Sequence, residues 1–135
     1  FSDCVRTSAK LNFAQRLKIL GEEVERLIKK WKPDAVALEN LYFEKNAKTA
    51  MDVSAVRGML CNIAATRGLE VFEYTPLQVK VAITGYGKSD KRAVAMMVQK
   101  LLIIKKEERL DDELDAIAVG LTHLASARYP QRIKK

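Results

Sequence analysis

Side chains that coordinate transition metals are scarce in this sequence. There is one histidine, His123, and there are two cysteines, Cys4 and Cys61. They are remote from one another and have no ligand spacing, which excludes a zinc ribbon or finger. The cysteines read as reduced thiols of a cytoplasmic protein, with a single structural disulfide as the alternative. His123, without nearby partners in sequence, reads as structural. Long apolar runs are missing too, so no segment reads as a membrane span, and no signal-peptide pattern is present. Repeats and low-complexity linkers are absent. Carboxylates are outnumbered, 17 against 24 lysines and arginines, for a formal net charge of +7. That balance points to an anionic partner, nucleic acid ahead of a membrane surface, with an ordinary basic surface as the bland alternative. An initiator methionine is also absent. The sequence starts at Phe1 and reads as processed or as a fragment.

What is present is enough for a globular domain. The 135 residues are 48% hydrophobic and 30% charged, which suits one domain with a sizeable core over 1–135, ending in a basic tail at 129–135. FSDCVRT reads as the end of a strand. From Lys10 to Lys32, Phe13, Leu17, Leu20, Val24, Leu27, Ile28 and Trp31 recur at helical spacing, and Pro33 stops the helix. AVAL, 35–38, is a short buried strand. A loop, LYFEKNAKTA, leads to a second helix near 47–67, closed by Gly68. LEVFEY, 69–74, is a second strand. Thr75 and Pro76 open a short helix as N-cap and first residue, and TGYGKS ends it. Further helices follow at about 90–103 and 111–128. This is an α/β order. Two parallel strands alone make a poor sheet, so further strands are expected before Phe1 or from a partner. TGYGKS lacks the spacing of a nucleotide-binding phosphate loop, which excludes ATP on that motif.

One stretch runs against the basic balance. DDELDAIAVGLTH, 111–123, gathers Asp111, Asp112, Glu113 and Asp115. On a helical wheel Leu114, Ile117, Ala118, Leu121, Leu124 and Ala125 form the expected core side. Asp112 and Asp115 lie about 60° apart on the opposite side, beside Ala116, Val119, Thr122 and His123. That opposite face lacks the Lys, Glu and Arg of a solvated one and reads as covered or cleft-lining. Acids near a helix N-terminus gain roughly 0.3–1 kcal/mol from the macrodipole, which accounts for the first three better than for Asp115. The alternative is a cation site. Mg²⁺ takes hard oxygen ligands and keeps several waters, so a few carboxylates suffice. Glu39 is a third candidate, at the C-terminal end of a strand where ligand sites of open α/β sheets gather; its bland reading is the strand's first polar residue. Lys45 and Lys48 flank the loop after Glu39, and Lys80, Lys88, Lys91 and Arg92 surround TGYGKSDKR. These residues read as phosphate contacts or as a solvated turn, with Gly85 and Gly87 allowing close approach to a backbone. Tyr42 and Phe43 are loop aromatics: one suits base stacking, and Phe43 is the one expected to pack inward.

Three blocks, PDAVALENLYFEKNAKTAMDVSAVRG, VFEYTPLQVKVAITGYGKSDK and DDELDAIAVGLTH, together resemble the RuvC family of Holliday-junction resolvases in order and spacing. The resemblance implies a ribonuclease H-like fold with a mixed central sheet flanked by helices. It implies a homodimer, a Mg²⁺-dependent endonuclease (two ions per site, Mn²⁺ able to substitute) that cuts four-way DNA junctions symmetrically, and RuvA/RuvB-type branch-migration partners. Glu39, Asp112 and Asp115 match three of the family's four acidic positions. Lys80 and Lys91 match its DNA-contacting lysines, and Tyr42 its aromatic wedge. The fourth acid belongs to a motif of the form G-I-D-P-G that is not in this sequence, so the chain as written is expected to be nearly inactive and unstable alone. The helix at 47–67, with Ala50, Ser54, Ala55 and Gly58, is the expected dimer interface. Two other readings stand beside this one: a non-catalytic junction-binding module, and a YqgF-type RNA-processing nuclease.

Overall fold

The computed structural model describes residues 1–40, 47–102 and 111–127. Among these residues five helices and two strands follow in the order α1 (Phe13–Trp31), β1 (Ala35–Glu39), α2 (Ala47–Thr66), β2 (Glu70–Tyr74), α3 (Pro76–Thr84), α4 (Lys91–Leu101) and α5 (Asp111–Ala127). β1 and β2 pair in a two-stranded parallel sheet, and the helix between them is the crossover that parallel neighbours require. The chain forms two compact units. One comprises Phe1–Cys4, Ala37–Leu41 and Phe72–Lys135; the other comprises Val5–Val36 and Tyr42–Val71.

In the second unit α1 packs on α2. Asn12 starts α1 with a reciprocal cap: its Oδ1 accepts from the Gln15 N–H at 2.9 Å, and Gln15 Oε1 accepts from the Asn12 N–H at 3.0 Å. Such a box satisfies two donors that the first turn leaves open. At the other end Lys32 turns left-handed (φ 44°), ahead of Pro33. The two helices approach closely at Gly21, where a Cβ would lie 3.2 Å from Met59 Sδ. Arg67 Nη2 reaches Glu25 Oε2 at 2.9 Å.

The first unit holds the main apolar core. Tyr74, Val79, Ile83, Val94, Val98, Leu114, Ala118 and Val119 are buried together, with Ala37 and Phe72 packed against them. Thr75 caps α3 in a second reciprocal box with Gln78, Pro76 follows at the first turn, and Gly85 ends the helix at φ 76°. Asp90 caps α4, its Oδ1 accepting from the Ala93 N–H at 2.7 Å. Helices α3, α4 and α5 contact one another pairwise.

Two expectations are corrected. FSDCVRT forms no strand; instead the Ser2 hydroxyl bonds the Glu113 carboxylate of α5. The core side of α5 is also rotated from the one read off the wheel. Val119 and Thr122 are buried, while Leu124 and Ala125 are exposed. A purely apolar wheel counts Thr122 as polar, yet its hydroxyl donates to the Ala118 carbonyl at 2.8 Å and so enters the core satisfied. Ile117, Leu121 and Leu124 line an open groove of about 520 Å³ with Phe1 and Leu102. The face carrying Val119 and Thr122 is therefore covered, as its lack of charged residues implied.

Candidate active site

Asp115 precedes Val119 by one helical turn, at the margin of the buried face of α5. That register explains its burial: its side chain is 40% exposed, against 79% for Asp111 one turn earlier. Glu39 arrives from β1. The Asn40 N–H, next along the chain, donates to the Tyr74 carbonyl at 2.8 Å, so the end of β1 is held in register on the end of β2. Glu39's carboxyl is pushed above its ordinary pKa, first by burial and then by the negative charge of Asp115, with Lys91 opposing. Two carboxylates from distant parts of the sequence therefore share one electrostatic neighbourhood.

Lys91, the first residue of α4, stands over this acidic edge. Its Nζ lies 3.0 Å from Asp115 Oδ2 and 3.8 Å from Asp111 Oδ2. The hydrogen bond and charge of Asp115 raise its pKa, with smaller help from Asp111 and Asp112. Arg92 and Ala95 complete a cleft of about 300 Å³ with Lys91, Asp111 and Asp115. The acidic quartet is thus divided: Glu113 bonds Ser2, Asp111 and Asp115 pair with Lys91, and Asp112 is exposed on the first turn with its charge acting on Lys91.

Of the three expected acids, Glu39 and Asp115 are linked by the charge that Asp115 places on Glu39. Asp112 joins them only through the field at Lys91, and no three His, Cys, Asp or Glu side chains among the described residues form a ready ligand set. The pair nonetheless fits Mg²⁺, which is commonly held by one or two carboxylates together with water and substrate phosphate. A cation there also relieves the repulsion that raises Glu39. Of the expected DNA contacts, Lys91 and Arg92 adjoin the acids. Lys80 is half-buried on α3, and Lys88 is exposed in the turn before α4. Gly85 has the left-handed φ of a helix cap, whereas Gly87 lets the turn approach Leu77, whose Cδ1 would lie 2.7 Å from an added Cβ. Tyr42, Phe43, Lys45, the Lys48 side chain and the tail at 129–135 lie outside the described residues.

Sequence reasoning gave His123 a structural role and no partner. The structure supplies one: Tyr74 Oη and His123 Nδ1 are 2.8 Å apart, and the imidazole packs against Phe72 with ring centroids 4.5 Å apart. The available signal was Phe72 and Tyr74 at alternate positions of one strand, facing the same side.

A small parallel sheet whose strand end and last helix carry paired carboxylates beneath a lysine defines the class: a ribonuclease H-like domain. The particular family follows from comparison with known proteins. Residues 1–123 match the sequence model of the crossover junction endodeoxyribonuclease RuvC family. The chain is 43% identical over 126 residues to the crossover junction endodeoxyribonuclease RuvC of Ruminiclostridium cellulolyticum, covering 93% of this chain and 76% of that one. It is 42% identical over 133 residues to the protein of the same name from Moorella thermoacetica, covering 98% and 80%. Its fold superposes on Thermus thermophilus RuvC with a TM-score of 0.85 at 32% identity, covering 93% of this chain and 76% of that chain. The TM-score is 0.87 for the T. thermophilus protein in complex with a Holliday junction substrate. The chain belongs to the RuvC family.

Proposed function

We propose that this protein is a Mg²⁺-dependent endodeoxyribonuclease that resolves four-way DNA junctions by paired, symmetric cleavage in recombination and repair. The observation that supports the reading is the Lys91–Asp115 ion pair at 3.0 Å, with the charges of both acting on a partly buried Glu39, in a chain whose relatives are named for this activity. Glu39 and Asp115 would hold the metal, with Asp112, one turn earlier on α5, as a further ligand or water-orienting group. Magnesium held there would supply Lewis-acid polarisation of the phosphoryl group and activation of water. Lys91 and Arg92 bring positive charge to the scissile phosphate, while Lys80 and Lys88, with Lys45 and Lys48, position the DNA backbone without reading sequence. Tyr42 stacks on a base opened at the crossover.

Cutting two strands symmetrically calls for a twofold homodimer. The reading places its interface on α2, where Ser54, Ala55 and Gly58 are exposed beside Met51, itself 73% exposed. The whole of 1–135 is read as one nuclease domain that works in the cytoplasm with RuvA/RuvB-type branch-migration proteins. Among the described residues no helix is long and apolar enough to cross a membrane.

The test is cleavage of a synthetic four-way junction in Mg²⁺ by the purified chain, with and without a first strand bearing the aspartate of the G-I-D-P-G motif. Paired nicks at symmetric positions, abolished by EDTA and strong only with the added strand, are expected. Robust cutting by the chain alone would overturn the expected dependence on the fourth acid. Absence of cutting in both forms would overturn the nuclease reading.

A further inference from the structure

We propose that Tyr74 and His123 are positioning residues whose hydrogen bond locks α5 onto β2 and so sets the separation of Glu39 and Asp115. The proposal rests on reading those two carboxylates as the metal pair.

The connection is short. Glu39 is held through Asn40, whose N–H donates to the Tyr74 carbonyl at 2.8 Å. Tyr74 therefore fixes the end of β1 with its backbone. Its side chain points to α5, where the hydroxyl meets His123 Nδ1 at 2.8 Å. His123 follows Asp115 by eight residues on the same helix, a rise of roughly 12 Å. One residue thus grips both elements that carry the acids, by its carbonyl on one side and its hydroxyl on the other.

The contact is also specific. Tyr74 is 9% exposed, and a hydroxyl taken into a core without a partner is costly. The imidazole is further oriented by the Phe72 ring at 4.5 Å and the Tyr74 ring at 6.0 Å. Apolar contacts alone, such as those of Val119 in the buried cluster, tolerate small slides of α5. A directional bond between two oriented rings does not. A slip of about 1 Å is enough to degrade a metal or catalytic site, and partners bonded directly to metal ligands are typically worth about 10–100-fold in metal affinity, so a lock acting one step further out is placed at the lower end.

The experiment measures Mn²⁺ affinity by electron paramagnetic resonance, well below the melting temperature, for the unmodified protein, Tyr74→Phe, His123→Phe, the double variant and His123→Gln. Tyr74→Phe keeps the ring, and His123→Gln keeps a group able to bond the hydroxyl. The expected result is a loss of about 10-fold in Mn²⁺ affinity for either Phe variant, no further loss in the double variant, and most of the affinity retained by His123→Gln. Unchanged affinity in Tyr74→Phe, with only a lower melting temperature, would show a purely structural bond and overturn the proposal, as would additive losses in the double variant. Glu39→Gln in the same titration separates the two levels. If it binds Mn²⁺ as tightly as the unmodified protein, the carboxylate reading itself falls. If it loses binding while Tyr74→Phe does not, only the positioning role falls.

Discussion

Replacing Glu39 by Gln should make the protein more stable without metal and less responsive to it. Burial first, and the charge of Asp115 second, hold the Glu39 carboxyl above its ordinary pKa. A raised native pKa means that the ionised form is disfavoured in the folded state. The resulting penalty is absent below the unfolded pKa and fully present above the native one, so stability falls as pH rises between them. At neutral pH Gln removes the penalty. Because the group is partly solvated and Lys91 opposes the shift, the gain is small, on the order of 0.5 kcal/mol after screening, or about 2 °C in melting temperature for a domain of this size. Magnesium reverses the order. A cation bound only by the folded state adds about 1.4 kcal/mol at ten times its Kd, and the variant should lose most of that. Thermal melts in EDTA and in a Mg²⁺ series, at pH 7 and at pH 4, give all four comparisons. The variant should melt higher in EDTA at pH 7, lose that advantage at pH 4, and fall below the unmodified protein in saturating Mg²⁺. A variant that melts lower in EDTA at pH 7, or gains as much from Mg²⁺ as its parent, refutes the argument.

Lys91→Gln should shift metal and DNA binding in opposite directions, because its ammonium 3.0 Å from Asp115 competes with a cation yet attracts phosphate. Mn²⁺ titration should show tighter binding, and a junction gel shift weaker binding with a shallower salt dependence. Val98→Ala, at a side chain with no exposed surface, should cost about 2–3 kcal/mol in urea unfolding through the cavity it leaves. Gly85→Ala should cost about 1–2 kcal/mol in the same assay because φ is 76° there, a region that a Cβ penalises. Gly87→Ala should cost less, since the atom it meets, Leu77 Cδ1, belongs to a side chain 60% exposed and free to move.

The helices were legible at most ends where local chemistry decides the outcome. Pro33 after α1, and Thr75 with Pro76 and Gly85 around α3, mark boundaries that involve only near neighbours, whereas the Asn12–Gln15 cap that starts α1 at Phe13 was not read from the sequence. The start of the chain was not legible in that way. A strand needs a ladder partner, and FSDCVRT, extended in character, is tied instead by Ser2 to Glu113, more than a hundred residues away. The wheel for α5 failed for a related reason. Hydropathy sorts Thr122 with the polar residues, whereas its bond to Ala118 makes it a core residue, turning the helix so that Leu124 meets solvent.

The site divides along the same line. Which acids are unusual was visible in the sequence: Asp115 sits too deep in its helix for the macrodipole to explain, and Glu39 ends an apolar strand. The charge of Asp115 acting on Glu39 was not visible in composition or periodicity, because it depends on the register of β1 on β2 and on the rotation of α5. Both are set by residues that carry no charge signal, the Tyr74 backbone and the buried face through Val119 and Thr122. The same rotation that corrected the wheel brings Asp115 to the margin of the core, 40% exposed, where its charge acts on Glu39. The misplaced core face and the carboxylate pair thus have one cause. Any substitution that turns α5 back toward its apolar wheel, such as Thr122→Lys with Leu124 free to bury, should separate Asp115 from Glu39 and weaken metal binding even if the helix stays intact by circular dichroism.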